Sequence, residues 1–375
     1  MSTAIQAGCS RSCGWPREND ATRELHDSGL GALHSIMIRF DLTNASAWNH
    51  RSGLARVSVR LREELGSAAE PWTWAEGSAP LQAEDWLFTT ELFSERERPG
   101  IRAFLERPPC RIAALFHDAI PLKLPHVTWP ASVARHPEYM KLLSRFDRVW
   151  AVSAASREDL LGFWAWQGVA RPPPVEVLPL GADANRGVGR GSGARAQSAM
   201  CSLVTVGILE PRKNQELLLD AAEALWRDGL PFELHVAGRT NPYFGKPIAA
   251  RLHAMKARWP GLQYHPDADD RAVAQLLAGA RAAVFPTIAE GCGLPLLESL
   301  WAGVPCVCSD LPVLLENASG GGCLAVPVGD QRAWETALGL ILTDDSLHGR
   351  LVREAASRSL PTWSQAARIL EEALR

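Results

Sequence analysis

A chain of 375 residues is too long for one ordinary domain and suits two. With 46% hydrophobic residues, 22% charged residues and a net charge of -3, it has the make-up of a water-soluble globular protein and lacks the basic field of a nucleic-acid binder. No apolar run approaches the roughly 20 residues needed to span a bilayer, and the N-terminus has no apolar signal core, so a cytoplasmic protein is expected.

Residues 1–35 lack sustained periodicity and read as a disordered extension, with Met37 as an expected alternative start. Met37–Asp41 predicts a first strand, and Gly53–Leu65 a helix with Leu54, Val57, Leu61 and Leu65 on one face. Ile112–Phe116 and Val149–Val152 predict buried strands. A helix from Ser153 to about Phe163 follows the second, then a short strand over Val175–Leu178. The glycine-, alanine- and serine-rich stretch 181–199 predicts a linker.

A second alternating series follows. Strands are predicted at Leu203–Val206, Phe232–Ala237, Ala282–Phe285 and Pro305–Cys308. Helices are predicted at Asn214–Trp226, Pro247–Ala257, Asp269–Ala280, Leu294–Ala302 and, at the tail, Gln365–Leu374. Strand–helix alternation implies parallel sheets, so the fold class is α/β with two doubly wound domains facing across a cleft. The expected division is an N-terminal domain over 36–180, a linker over 181–199, a C-terminal domain over 200–350 and a helical segment over 351–375. Ligands of such sheets bind beyond the C-terminal strand ends, which makes the cleft the expected site.

Three segments carry chemistry. In Glu290–Glu298 two carboxylates stand eight positions apart, around a turn made by Gly291 and Gly293. Pro295 suits the start of a helix. Side chains of a helix lean toward its N-terminus, so Glu298 reaches back to a mouth whose free N–H groups suit a phosphate. One carboxylate near a ribose and one near a sugar is what a nucleotide-sugar site needs. In Gly207–Asn214, Gly207 lets backbone approach a ligand, and Arg212 and Lys213 stand beside a helix start that Asn214 is expected to cap. Two cations at a helix N-terminus oppose its dipole by about 0.3–1 kcal/mol, so an anion between them is expected. In Phe116–Pro125, His117 and Asp118 end a buried strand and point into the cleft.

The Glu290–Glu298 segment resembles the E-x7-E signature of retaining glycosyltransferases with two Rossmann-like domains, the GT-B architecture of family 4. The resemblance extends over about residues 37–375. It implies that Glu290 contacts the donor sugar, that Glu298 holds the ribose, and that Gly293, Leu294 and Pro295 lie against the nucleotide. Arg212 and Lys213, in a Gly-…-Arg-Lys-Asn segment with Gly207, would hold the diphosphate. His117 would stand near the reacting centre, and Asp118 would orient it or contact the acceptor. Gly53 and Arg56 match a glycine–arginine loop for donor phosphate or acceptor. Cys292 stands where the family often has an aromatic residue. The His-Asp-x-x-Pro segment is similar to bacterial members that build surface polysaccharides, often mannosyltransferases. The implied donor is thus a GDP- or UDP-sugar, with GDP-mannose first, and the implied acceptor a glycan or lipid-linked oligosaccharide. In that family the final helix crosses back to the first domain.

Arg135, Lys141, Arg145 and Arg148 read as a solvated face, with peripheral membrane contact an open alternative. Asp267, Asp269 and Asp270 read as a helix cap rather than a metal–diphosphate motif, and no metal or other cofactor is expected. The eight cysteines read as reduced thiols, and neither Cys9 with Cys13 nor Cys306 with Cys308 has the second pair that a zinc site needs. Three rival functions stay open: a sugar-nucleotide epimerase of the same fold, a non-catalytic nucleotide-sugar-binding subunit, and a pyridoxal-phosphate-dependent phosphorylase.

Overall fold

The computed structural model describes residues 36–44, 53–75, 78–183 and 200–375. The expected N-terminal extension with Cys9 and Cys13, the expected start at Met37 as far as it concerns 1–35, and residues 184–199 of the expected linker lie outside the described residues.

The first domain is a six-stranded parallel sheet of β1 (Ile38–Asp41), β2 (Ala69–Trp72), β3 (Trp86–Thr89), β4 (Arg111–Phe116), β5 (Arg148–Ala151) and β6 (Val175–Val177), in the order β2-β1-β3-β4-β5-β6. Its helices are α1 (Gly53–Leu65), α2 (Ile101–Phe104), α3 (Ile120–Lys123), α4 (Pro130–Leu143) and α5 (Ala154–Trp166). The second domain holds β7 (Ser202–Val206), β8 (Glu233–Ala237), β9 (Leu262–His265), β10 (Ala282–Phe285), β11 (Cys306–Ser309) and β12 (Cys323–Val326). They form a parallel sheet in the order β12-β11-β10-β7-β8-β9. Around it lie α6 (Gln215–Arg227), α7 (Lys246–Arg258), α8 (Asp270–Gly279), α9 (Leu294–Trp301), α10 (Pro312–Ala318), α11 (Gln331–Thr343) and α12 (Asp345–Ser357), and the chain ends in α13 (Trp363–Leu374). Strand order reverses between β7 and β10, and this reversal opens a crevice at their C-terminal ends.

Each sheet is covered on both faces, as parallel sheets require. In the first domain one face buries Phe93, Tyr139, Met140 and Trp164. The other buries Phe40, Val57, Leu61 and Trp150 together with Trp363, Ala366, Ala367, Leu370 and Leu374 of α13. The last helix of the chain is therefore part of the first domain's core. Thr362 and Gln365 close a capping box at its start.

Helix α12 corrects the expected boundary at 350. Its Leu351 and Ala355 are buried in the second domain's cores, so that domain runs through α12 and the return crossing is at 358–362. The two crossings lie side by side. Ala182 N donates to Pro361 O at 2.9 Å and Trp363 N to Asp183 Oδ1 at 2.8 Å. A Cβ on Gly181 would lie 2.3 Å from Trp363 N, so the first residues of the expected linker are firmly packed. Helix α4 has no counterpart among the sequence expectations, because Pro137 interrupts its pattern from inside.

Candidate active site between the two sheets

The site begins at the reversal of the second sheet. Arg212 and Lys213 follow β7 on a short 3-10 turn, Pro211–Lys213, and Glu290 follows β10. Since β7 and β10 are neighbours, the three charges meet. Lys213 Nζ lies 2.5 Å and Arg212 Nη1 3.1 Å from Glu290 Oε1, and the Thr287 hydroxyl lies 2.8 Å from the same oxygen. The anion expected between the two cations is thus, in the protein itself, Glu290. Arg212 Nη2 also donates to Glu210 Oε1 at 2.6 Å, and Nη1 to Ala289 O at 2.9 Å. Burial disfavours the charge on Glu290, but Lys213 and Arg212 outweigh it and hold the carboxyl below its ordinary range. Burial likewise acts against the Arg212 guanidinium, and Glu290 and Glu210 together keep its pKa raised. The Lys213 ammonium is lowered by burial, with Glu290 opposing. A Cβ on Gly207 would lie 3.5 Å from Lys213 Cδ, an ordinary contact, so the Lys213 stem packs directly over this residue.

Asn214 does not cap α6 as expected. It sits in the left-handed region, makes no side-chain cap bond, and donates Nδ2 to Pro286 O at 3.2 Å. Its side chain thus joins the connection after β7 to the end of β10, while only its main chain, through Leu218 N at 3.4 Å, serves α6.

The turn after Glu290 meets the first domain. Gly291 O accepts Ser153 Oγ at 2.7 Å and lies 3.1 Å from Ser156 Oγ, while Ser156 Oγ also lies 2.8 Å from His117 O. A Cβ on Gly291 would lie 2.5 Å from His117 O and 3.2 Å from Asp118 Cβ, so the two main chains touch. Cys292 and Leu294 pack against both domains' cores. Burial pushes the Cys292 thiol up to about 12, which removes it as a nucleophile. Gly293, at φ 80°, takes a left-handed conformation that a side chain would strain, and starts α9 with Leu294 and Pro295 in its first two positions. From the second domain, Glu316 caps α5 of the first, accepting from Ala154 N at 2.9 Å and Ala155 N at 2.8 Å.

His117 is buried, with Nε2 2.8 Å from Thr90 O. A carbonyl only accepts, so Nε2 carries the proton and Nδ1 of the neutral ring is an acceptor. Burial lowers the ring's pKa and keeps it neutral, against the pull of Asp118. Asp118 does not orient the ring by a hydrogen bond. Its Oδ1 accepts from Ile120 N at 2.9 Å, and its backbone carbonyl accepts from His136 Nε2 at 2.8 Å. The carboxylate is nonetheless close enough to raise the pKa of Arg212 in the other domain.

Glu298 is buried on α9 and pairs with Arg56 of α1, whose Nη2 lies 3.2 Å from Asp270 Oδ1. Burial raises the Glu298 pKa despite this partner. Arg56 is thus brought to the expected ribose carboxylate, whereas a Cβ on Gly53 would find nothing within 4 Å and no close approach depends on that glycine. Asp269 caps α8 through Ala272 N at 2.8 Å. Among the described residues no group of three or more His, Cys, Asp or Glu could hold a metal ion, and no helix is long and apolar enough to cross a membrane.

Sequence reasoning did not find Thr287, Glu210, Ser153, Ser156 or Glu316 as site residues. Ser153 was legible as a helix cap, since its side chain accepts from Ser156 N, but nothing local shows that both hydroxyls face another domain.

A fold of two parallel sheets with buried charges at their apposed C-terminal edges is the GT-B architecture, and the comparisons agree. Residues 201–344 match the family described as glycosyl transferases group 1. Over 217 residues the chain is 30% identical to the serotype-specific mannosyltransferase WbdA of Escherichia coli, covering 54% of this chain and 26% of that protein. Another WbdA from the same species is 28% identical over 272 residues, covering 68% of this chain and 32% of that protein. The chain therefore spans only about a quarter to a third of the length of these relatives. A GDP-mannose-dependent alpha-(1-6)-phosphatidylinositol dimannoside mannosyltransferase of Mycobacterium tuberculosis is 32% identical over 234 residues, 60% of this chain and 56% of that one. Among solved structures, a sucrose-phosphate synthase from Thermosynechococcus elongatus superposes with a TM-score of 0.71 at 17% identity, covering 90% of this chain and 98% of that one. The chain resembles the group 1 glycosyltransferases, and bacterial mannosyltransferases among them.

Proposed function

We propose that this protein is a retaining glycosyltransferase that moves a hexose, mannose from GDP-mannose as the leading choice, to a glycan or lipid-linked acceptor in surface polysaccharide synthesis. The observation that carries this reading is the Arg212–Lys213–Glu290 cluster at the strand-order reversal, next to the turn at Gly291 that packs on the main chain of His117. The mannosyl donor is supported by the similarity to mannosyltransferases, one of them GDP-mannose-dependent.

The hard step is cleavage of the anomeric C–O bond while charge grows on the leaving diphosphate. Guanidinium and ammonium offer five and three N–H donors, so Arg212 and Lys213 can keep Glu290 in place and still bind phosphate. Each charged hydrogen bond contributes about 1.5–3 kcal/mol, and the group is held ready before reaction. All three contacts to Glu290 fall on Oε1, so its second oxygen is the one to orient a sugar hydroxyl. His117, neutral, accepts a second hydroxyl at Nδ1. Glu298 fixes the ribose after exchanging Arg56 for it. The acceptor hydroxyl attacks on the face the diphosphate leaves, its proton passes to the leaving phosphate oxygen, and no protein nucleophile or metal takes part.

Thermal unfolding with a panel of GDP- and UDP-sugars tests this. Ligand at 100 times its Kd stabilises by about 2.7 kcal/mol, so GDP-mannose is expected to raise the midpoint clearly. Glu290→Ala and the pair Arg212→Ala, Lys213→Ala are expected to abolish transfer while the variants stay folded. No midpoint shift with any nucleotide sugar, or near-normal transfer by either variant, refutes the reading.

A further inference from the structure

At the rim of the cleft stands an aromatic pair that the donor site does not use. Trp129 directly precedes α4 of the first domain, and Tyr243 lies on the loop after β8 of the second. Their ring centroids are 4.0 Å apart at an interplanar angle of 61°, and the residues remain 40% and 61% exposed. Among the described residues no other pair of stacked or edge-on rings joins the two domains.

The main chains of both residues are held by bonds that lead back to residues of the candidate site. Tyr243 N donates to Asn241 Oδ1 at 2.9 Å, buried Asn241 donates Nδ2 to Glu210 Oε2 at 3.0 Å, and Glu210 Oε1 holds Arg212. On the other side Trp129 O accepts from Val133 N at 3.0 Å within α4, whose His136 holds Asp118 O. The pair therefore stands where the connections that follow β4 and β8, at the C-terminal ends of the two sheets, meet.

An indole and a phenol left together in water carry an unmet hydrophobic cost. Beside that contact both rings keep exposed surface. A pyranose presents one apolar C–H face that fits an aromatic face, while its hydroxyls stay hydrated. We propose that Trp129 and Tyr243 form a platform that stacks a pyranose ring of the glycan acceptor, outside the sugar being extended. This rests on the glycosyltransferase reading above, and it names a site for the second substrate.

The test uses the full chain, a panel of gluco-, galacto-, rhamno- and manno-oligosaccharides of three to five sugars, and GDP-mannose, each titrated by calorimetry. The expected result is uptake of at least one oligosaccharide, weakened about tenfold by Trp129→Ala and by Tyr243→Ala, largely retained by Trp129→Phe, with GDP-mannose affinity unchanged throughout. Both side chains are exposed, so these variants should fold, and circular dichroism verifies it. Unchanged oligosaccharide binding in both alanine variants overturns the platform. So does a wild-type protein that binds a nucleotide sugar but none of the oligosaccharides. Oligosaccharide binding that depends on Trp129, in a protein that takes up no nucleotide sugar, keeps the platform and removes the transferase reading instead.

Discussion

Gly291→Ala puts the closed cleft to the test with one methyl group. The added carbon would stand 2.5 Å from His117 O, 3.2 Å from Asp118 Cβ and 3.3 Å from Asp118 Oδ2. Comfortable non-bonded separations begin at about 3.5 Å, so the two main chains must part by about 1 Å. His117 O is backbone at the end of β4 and cannot swing aside. The same displacement takes Gly291 O out of reach of Ser153 Oγ, now at 2.7 Å, and of Ser156 Oγ, at 3.1 Å. Arg212, Lys213 and Glu290 all belong to the second domain and keep their mutual contacts, so nucleotide-sugar affinity should survive. Turnover should not, because a misplacement of about 1 Å can cost about 100-fold. The assay pairs steady-state transfer with calorimetric donor binding. A variant with wild-type kcat would show that the contact between Gly291 and His117 has no part in the active state.

Three further outcomes are expected. Arg98 is buried between Asp41 and Glu91, and Arg98→Met leaves two buried carboxylates without their cation. Urea unfolding should register a loss of about 3–5 kcal/mol, and a loss below about 1 kcal/mol would contradict the pairing. Trp363→Ala empties a fully buried site shared by α13, β1 and α1, at a cost of about 3–5 kcal/mol, and a variant unfolding at the wild-type urea midpoint would show that α13 is dispensable to the first domain. Glu290 has a folded pKa below its ordinary value of about 4.3, so its stabilising contribution is complete above that pH and fades as pH falls toward the lowered value. The stability gap between wild type and Glu290→Gln should stay level from about pH 8 to about pH 5 and shrink only below about pH 4.3. A gap that closes between about pH 7 and about pH 5 would mean the carboxylate is not held by its cations.

Much of the fold was legible because its signals are local. Apolar runs such as 112–116 and 282–285 announced buried strands, and the spacing of Val57, Leu61 and Leu65 announced α1. Polar or short strands were not legible. Ala69–Trp72 carries Glu70 and Pro71, and β9 carries Gln263 and His265, so neither shows the apolar run of a buried strand. Helix α4 was hidden by Pro137, and the expected division at 350 falls inside α12, because a sequence does not reveal which core a segment joins.

Glu290 with Glu298, and Arg212 with Lys213, were readable from residue type and spacing in single short segments. Their partners were not. The pairing of Arg56 with Glu298, the grip of Ser153 and Ser156 on Gly291 O, and the meeting of Trp129 with Tyr243 join residues more than a hundred positions apart. Sequence alone determined the parallel α/β architecture and the acidic and basic groups that gather at the strand ends, since periodicity and turn chemistry act over a few residues. Only the tertiary structure decided which charges neutralise one another and where the two domains touch, since those outcomes depend on strand order and on the return of the last helix across the molecule.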